Sequence, residues 1–355
     1  MAKVILWISF AFVFYAYCGY PLLLCLWRWL ARKPVLKAYW EPYVSLVIAA
    51  HNEREQIDAK IRNCLELDYP RDKIEIIISL DGPTDGTDQA VRRYEGCGLR
   101  IIHWPVHAGK SAALNRALTA ARGEVIVFAD VRQRIDPQAV RELVANLRDS
   151  SVGAVSGELF LIKDGFEHFE EAKDAVGLYW RYEKWIREME SQIDSTVGAT
   201  GALYAIWRDG FRPLPEDTIL DDVLIPMRIV LLGKRVVFEP SARAYDKVAC
   251  CPEAEFRRKV RTLAGNFQLL AHMPELLLPW RNPVFLQFLS HKISRLLVPY
   301  FLAALFLSNC FLLSGTYLVL FVLQLAWYTL AFAGALAVRS HNANRPPTPV
   351  PVGDR

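Results

Sequence analysis

Val44-Ser45-Leu46-Val47-Ile48-Ala49-Ala50-His51-Asn52-Glu53 and, further on, Ile74-Glu75-Ile76-Ile77-Ile78-Ser79-Leu80-Asp81-Gly82-Pro83-Thr84-Asp85-Gly86-Thr87 are two β-rich apolar runs that end on polar, turn-forming residues. With residues 99–103 and 125–128 they predict four strands, and residues 54–67, 87–94, 111–121 and 138–147 predict the helices between them. Continuous apolar strands alternating with helices build an α/β sheet covered on both faces. Such sheets bind ligands at the carboxyl ends of their strands. The polar residues collect at those ends: Glu53 after the first strand, Asp81 to Thr87 after the second, Asp130 after the fourth. One polar strand end is an ordinary turn or helix cap, which is the better reading of Asp85 or Thr87 alone. Three on one edge describe a nucleotide pocket.

The chain has 355 residues and is 53% apolar, against ~45–50% for soluble globular chains. The excess lies in residues 4–27 and 296–338, which contain no charged side chain, so the rest carries all 42 basic and 38 acidic residues. A fully soluble protein has no place for these runs, and a pore-type bundle has no room for the polar middle. A soluble domain held at a membrane fits both. A bilayer core needs ~20 helical residues, so the first run crosses once. It is too long for a signal peptide, whose apolar core is ~7–15 residues, and it ends in Trp27-Arg28-Trp29. The second run predicts two crossings with a turn at Ser314-Gly315-Thr316.

Basic residues follow the first span (Arg28, Arg32, Lys33, Lys37), precede the second (Lys292, Arg295) and follow the third (Arg339, Arg345). The positive-inside rule puts all three clusters in the cytoplasm. The expectation is a multi-pass protein of the inner or plasma membrane with a cytoplasmic catalytic domain. Its parts are an anchor (1–30), the α/β domain (40–272), interfacial helices (273–295), a transmembrane hairpin (296–338) and a disordered Pro-rich tail (339–355). Seven cysteines, among them the adjacent Cys250-Cys251, show no zinc spacing, and a reduced cytosol argues against disulfides. A formal net charge of +4 is too small to argue for a nucleic-acid partner. Basic residues beside the spans suit anionic membrane lipids.

Five pieces occur in order over about residues 40–270: Val47-Ile48-Ala49-Ala50-His51-Asn52-Glu53, Asp81-Gly82-Pro83-Thr84-Asp85-Gly86-Thr87, Gly109-Lys110-Ser111-Ala112-Ala113-Leu114-Asn115, Phe128-Ala129-Asp130 and Asp221-Asp222. This set resembles family 2 glycosyltransferases of the GT-A type, an α/β, Rossmann-like fold. With its flanking spans the chain is similar to the membrane-bound members that make polysaccharides or glycolipids. The resemblance implies an inverting transfer of sugar from a nucleotide donor, in the first place UDP, to a lipid-linked or growing saccharide acceptor.

By that resemblance Glu53 and Asp81 hold the nucleoside, as carboxylates that accept from base N–H and ribose hydroxyls. Lys110, at a predicted helix start, suits a phosphate; otherwise it is a solvated helix-end lysine. Asp130 corresponds to the first carboxylate of an Asp-x-Asp motif that serves Mg²⁺ or Mn²⁺. The second has become Arg132, which leaves Asp130 as the metal ligand. Arg132 is then a bidentate donor to the diphosphate, or it pairs with a nearby carboxylate such as Asp136.

Asp222 matches the general base of the family, with Asp221 raising its pKa; capping of the helix that follows is the plainer account of the pair. Residues 256–262 align with a Gln-x-x-Arg-Trp motif in which Arg261 matches, Arg258 replaces Gln and Thr262 replaces Trp. Arg258 and Arg261 become diphosphate ligands, or part of a basic helix lying on the membrane. Gly198-Ala199-Thr200-Gly201-Ala202 resembles the loop bordering the acceptor, or is an ordinary turn. Residues 166–193 predict a helix whose aromatics (Phe166, Phe169, Tyr179, Trp180, Tyr182, Trp185) serve the core or touch sugar and lipid.

Three spans are few for a private channel, and the missing Trp removes a stacking platform. Both features favour single or limited addition over a processive polysaccharide synthase. A homo-oligomer or a polysaccharide export partner is a further expectation, as help for any polymerisation. A nucleotidyltransferase would have no reason for the spans or for Asp222, and Arg132 and Thr262 are what a degenerate, non-catalytic membrane scaffold would show.

Overall fold

The computed structural model describes residues 1–162, 177–247 and 252–343. Phe166, Phe169, Cys250-Cys251, Arg345 and the Pro-rich tail lie outside the described residues. In chain order the elements are α1 (Ala2–Phe14), a π-helical turn (Tyr15–Gly19), α2 (Tyr20–Ala31), β1 (Val44–Ala50), α3 (Ile57–Leu65), β2 (Ile74–Asp81), α4 (Thr87–Arg92), β3 (Leu99–Trp104), α5 (Lys110–Ala120), β4 (Val125–Ala129), β5 (Arg134–Ile135) and α6 (Ala139–Leu147). There follow β6 (Val152–Ile162), α7 (Leu178–Ile193), β7 (Leu203–Trp207), α8 (Asp221–Leu231), β8 (Arg235–Lys247), α9 (Pro252–His272), α10 (Phe285–Phe288), α11 (Ser294–Asn309) and α12 (Thr316–Ala343). The chain divides into two units, Met1–Cys25 with Phe288–Arg355, and Leu26–Gln287.

In the second unit eight strands form one mixed sheet in the order β3-β2-β1-β4-β7-β6-β8-β5. β1 pairs in parallel with β2 and β4, and β2 in parallel with β3. The chain winds outward from β1 to β3 and then returns to place β4 on the other side of β1. That reversal makes the crevice at the carboxyl ends of β1 and β4 the natural ligand site. Val44, Leu46, Val47 and Ile48 of β1 are fully buried, as the continuous apolar run requires. Each large aliphatic chain so removed from water contributes roughly 1.5–3 kcal/mol.

The predicted helices shift little. The helix expected from residue 54 starts at Ile57, because Glu53 and Arg54 give their N–H groups to Thr87 Oγ1 (2.8 Å) and Asp85 Oδ2 (3.0 Å) instead of to a helical turn. Asp85 also accepts from Thr87 N (3.0 Å), so this pair ties the β1 and β2 ends together. Gly82 adopts a left-handed φ of 59°, and its missing Cβ leaves space for the backbone of Val106 and His107.

Two helices among the described residues are long and apolar enough to cross a membrane: Ala2–Ala31 and Thr316–Gly334. The second expected crossing corresponds to α11, 16 residues that continue without a break from α10 and the π-helical turn that precedes it. The expected turn lies in the break between α11 and α12, where Gly315 has φ 54°. Phe12 stacks on Phe301 with centroids 3.9 Å apart, and the Tyr15 hydroxyl meets Ser290 Oγ at 2.6 Å. Residues 274–293 form a 3-10 turn (Pro274–Leu277), α10 and a π-helical turn (Leu289–Ile293).

Candidate active site

The carboxyl ends of β1, β2 and β4 bring together Glu53, Asp81 and Asp130 as expected from their strand-end positions. Asp81 is buried, and both of its oxygens are taken. Ala108 N (3.1 Å) donates to Oδ1 and Gly109 N (2.7 Å) to Oδ2; the Arg116 guanidinium pairs with Oδ1, and His107 Nδ1 lies 2.8 Å from Oδ2. Asp81 thus fastens the β2 end to the loop that leads into α5. Above it His51 and His107 stack with centroids 3.9 Å apart, and the Arg116 guanidinium lies 4.9 Å from the Trp104 ring centroid. His107, Trp104 and Arg116 surround Asp81 and are residues that the sequence motifs pass over. Arg116 directly follows the Gly109-to-Asn115 motif, and a cation so placed before a strand-end aspartate was the available signal.

Lys110 opens α5 and reaches the other half of the crevice. Its Nζ lies 2.9 Å from Asp130 Oδ1 and 3.3 Å from Asp221 Oδ1. Burial works against its charge, but Asp130, Asp221 and Asp222 outweigh burial and hold its pKa above the usual lysine value. The lysine, 40% exposed at its side chain, is thus a counter-ion between the β4 end and the start of α8. Asp221 is buried and Asp222 half-buried, and no side chain caps α8, whose N-cap is Leu220. The pair still sits where the helix dipole favours negative charge. The hydroxyl of fully buried Tyr204 lies beside the Asp221 carboxylate. Burial and the surrounding carboxylates push the Tyr204 pKa well up, so it faces the site as a neutral phenol.

The Gly198-to-Ala202 loop lies directly on Asp222. Ala199 N donates to Asp222 O at 2.8 Å, and a Cβ on Gly201 would come within 2.8 Å of Asp222 Oδ2. The loop is braced from behind, where Thr200 N donates to Ser156 Oγ (2.9 Å) and Arg187 Nη1 donates to Thr200 Oγ1 (2.9 Å). The catalytic carboxylate candidate and the small-residue loop are thus one surface.

Arg132 does not meet Asp136, the carboxylate considered from sequence. Its Nε and Nη2 both lie 3.1 Å from Asp246 Oδ2 at the end of β8, which also accepts from Gln133 Nε2 at 2.9 Å. The Arg132 side chain is 59% exposed and so stays in reach of solvent. Arg258 and Arg261 stand on the exposed part of α9, Arg258 paired with Glu255. Among the described residues no contact joins either to Asp81, Asp130 or Asp221. The later half of α9 is fastened to the approach to Asp221, with Ile219 N donating to Gln268 Oε1 (2.9 Å) and Gln268 Nε2 donating to Asp217 O (2.7 Å).

No group of three His, Cys, Asp or Glu suited to a metal occurs among the described residues. A divalent ion on a nucleotide diphosphate needs only one or two protein carboxylates, because phosphates and water supply the rest. Asp130, 37% exposed and already facing a cation in Lys110, fits that minimal donor set.

Residues 45–212 match the family described as glycosyl transferase family 2. The chain is 28% identical over 242 residues to the probable glycosyltransferase YdaM of Bacillus subtilis, covering 63% of this chain and 55% of that protein. It is 24% identical over 252 residues to the poly-beta-1,6-N-acetyl-D-glucosamine synthase of Staphylococcus aureus, covering 68% and 58%. The chain thus spans about half the length of these curated relatives. A solved mannosyltransferase of Pyrobaculum calidifontis, in complex with GDP-mannose and Mn²⁺, superposes with a TM-score of 0.72 at 24% identity, covering 95% of this chain and 92% of that one. That likeness extends the shared fold beyond the matched segment. The motif order, the crevice at the switch point and the family match agree: residues 45–212 form a family 2 glycosyltransferase segment, and the chain carries a GT-A-type sheet.

Proposed function

We propose that the protein transfers a sugar, with inversion, from a nucleotide-sugar donor to a membrane-associated lipid-linked or saccharide acceptor, with Asp222 as general base. The observation that carries this reading is the Lys110 ammonium bridging Asp130 and Asp221, with Asp222 beside the glycine loop. A nucleoside fits the His51, His107 and Trp104 end, and its diphosphate then runs toward Lys110, Arg132 and Asp130. The acceptor hydroxyl gives its proton to the Asp222 carboxylate as its oxygen attacks the anomeric carbon. The bond from that carbon to the phosphate oxygen breaks, and its electron pair leaves with the nucleoside diphosphate. One displacement inverts the centre and needs no enzyme nucleophile. Lys110 and Arg132 meet the charge that builds on the leaving group. Asp130 is the residue for Mg²⁺ or Mn²⁺, and such an ion would add positive charge at the diphosphate.

Several features support a membrane acceptor. Helices Ala2–Ala31 and Thr316–Gly334 have the length and apolarity of spans. On α9, Phe256, Val260, Leu263 and Phe267 are exposed beside Arg257, Arg258, Lys259 and Arg261, the composition of a helix that rests in an anionic headgroup layer. The proposed topology keeps the α/β domain and the basic clusters in the cytoplasm. UDP is the proposed nucleotide.

The test is mass spectrometry of lipid-extractable products from membranes given a panel of UDP- and GDP-sugars. One or a few added sugars is the expected result. A long saccharide would favour a processive synthase, and no product with any donor would favour the scaffold reading.

A further inference from the structure

Lys60 is 2% exposed and lies about one turn into α3, one turn before Asn63 and Cys64 on the same face. That face grips the segment after β4 that carries Asp130 and Arg132. Lys60 Nζ donates to Gln133 O at 2.8 Å. Asn63 Nδ2 donates to Ile135 O at 2.8 Å and its Oδ1 accepts from Ile135 N at 2.7 Å. Asn63 alone supplies a complete two-way clasp on the segment, so Lys60 is not needed for holding it.

Placing an ammonium in a protein interior costs several kcal/mol unless it is well compensated. Here the hydrogen-bond partner is a single carbonyl oxygen, where a methionine would fill the same volume at lower cost. Burial outweighs the opposing pull of Cys64 and Asp130 and draws the Lys60 pKa below the usual lysine value. Asp130 is the carboxylate whose motif partner has been replaced by Arg132. The segment from Asp130 to Gln133 therefore has a cation beneath it and a second one on it, where two carboxylates would ordinarily face a metal.

We propose that Lys60 is a positioning residue of the donor site, its ammonium supplying fixed positive charge beneath the Asp130–Gln133 segment and so favouring diphosphate over divalent cation there. The inference rests on that segment being the diphosphate end of the donor site. It makes a prediction of opposite sign for two ligands, which loosening of the segment would not produce. Removing a cation weakens an anion's binding and strengthens a cation's. For charges several ångströms apart in a protein setting, each change is on the order of tenfold.

The experiment compares wild-type full-length protein in detergent with Lys60→Met and with Lys60→Gln, which keeps a donor for Gln133 O but drops the charge. UDP and GDP binding is measured by calorimetry without metal, and Mn²⁺ binding by electron paramagnetic resonance without nucleotide. The expected result is nucleotide binding about tenfold weaker and Mn²⁺ binding about tenfold tighter in both variants, with the melting temperature equal or higher. Should Lys60→Met fail to fold, Lys60→Gln carries the same comparison. Unchanged affinities in folded variants, or both ligands weakened together, would overturn the inference while leaving the donor-site reading in place. Wild-type protein that binds neither nucleotide nor Mn²⁺ would remove the donor-site reading, and this inference with it.

Discussion

Arg132 is held by Asp246, 114 positions away in the chain, through two guanidinium nitrogens each 3.1 Å from Oδ2. The anchor is 5% exposed and the arginine 59%. A buried carboxylate thus holds a cation that stays in reach of solvent, an arrangement suited to meeting an anion without reorganisation.

If that cation meets the diphosphate, Arg132→Ala weakens donor binding by ~1.5–3 kcal/mol, the range for a hydrogen bond to a charged group. Asp246→Asn should reproduce part of the loss, and Arg132→Asp should make binding depend more steeply on Mg²⁺ or Mn²⁺. Calorimetric titration with nucleotide, with and without metal, measures all three. A purely structural Arg132–Asp246 pair would instead lower the melting temperature and leave donor affinity unchanged.

Gly201→Ala should strike the acceptor side selectively. The added Cβ would lie 2.8 Å from Asp222 Oδ2, so the carboxylate must move. A displacement of ~1 Å in a reacting group can cost about 10²-fold in rate. We expect kcat to fall by that order while nucleotide binding stays at the wild-type level. Equal kcat in the two proteins would show that Asp222 moves without consequence.

The α/β domain should lose one stabilising cluster in acid. The Tyr39 hydroxyl and then the Arg141 guanidinium, 2.7 Å away, hold the Glu41 pKa down from 4.5 to about 2, with Lys73 adding to them and burial opposing. A pKa lower in the folded state than in the unfolded one means stabilisation that is full above pH 4.5 and lost as pH falls through about 2. Glu41→Gln should lower the melting temperature at pH 7, and the difference should shrink below pH 4.5 and vanish near pH 2. A difference of equal size at both extremes would contradict the assignment.

How much of this was legible in sequence follows from distance along the chain. Glu53, Asp81 and Asp130 could be placed because each terminates an apolar strand run, and the strand itself says where its end lies. Lys110 could be placed because it opens a helix after a glycine. Asp246 could not, and sequence proximity pointed to Asp136; only the pairing of β5 with β8 brings residues near 134 and 245 together. Lys60 reads as one charge on an amphipathic helix until the β4 segment packs over it. The strands β6 and β8 escaped notice for another reason. Gly153, Gly157 and Pro240 interrupt their apolar pattern, and their mutual register shifts between Val152 and Ala154 and again between Ser156 and Glu158. The long apolar helices announce themselves by composition alone, and the break between α11 and α12 falls at Ser314-Gly315, where small and turn-forming residues interrupt the apolar run.

The central claim is that Asp222 takes the proton of the acceptor hydroxyl. Asp222→Asn removes that capacity with little change of shape, and loss of general-base help costs ~10²–10⁴ in rate. The measurement is transfer rate alongside nucleotide-sugar affinity for wild-type and variant, at equal donor saturation. The account expects wild-type affinity with transfer reduced by at least ~10². Near-wild-type transfer by the asparagine variant would contradict it and remove Asp222 from the mechanism.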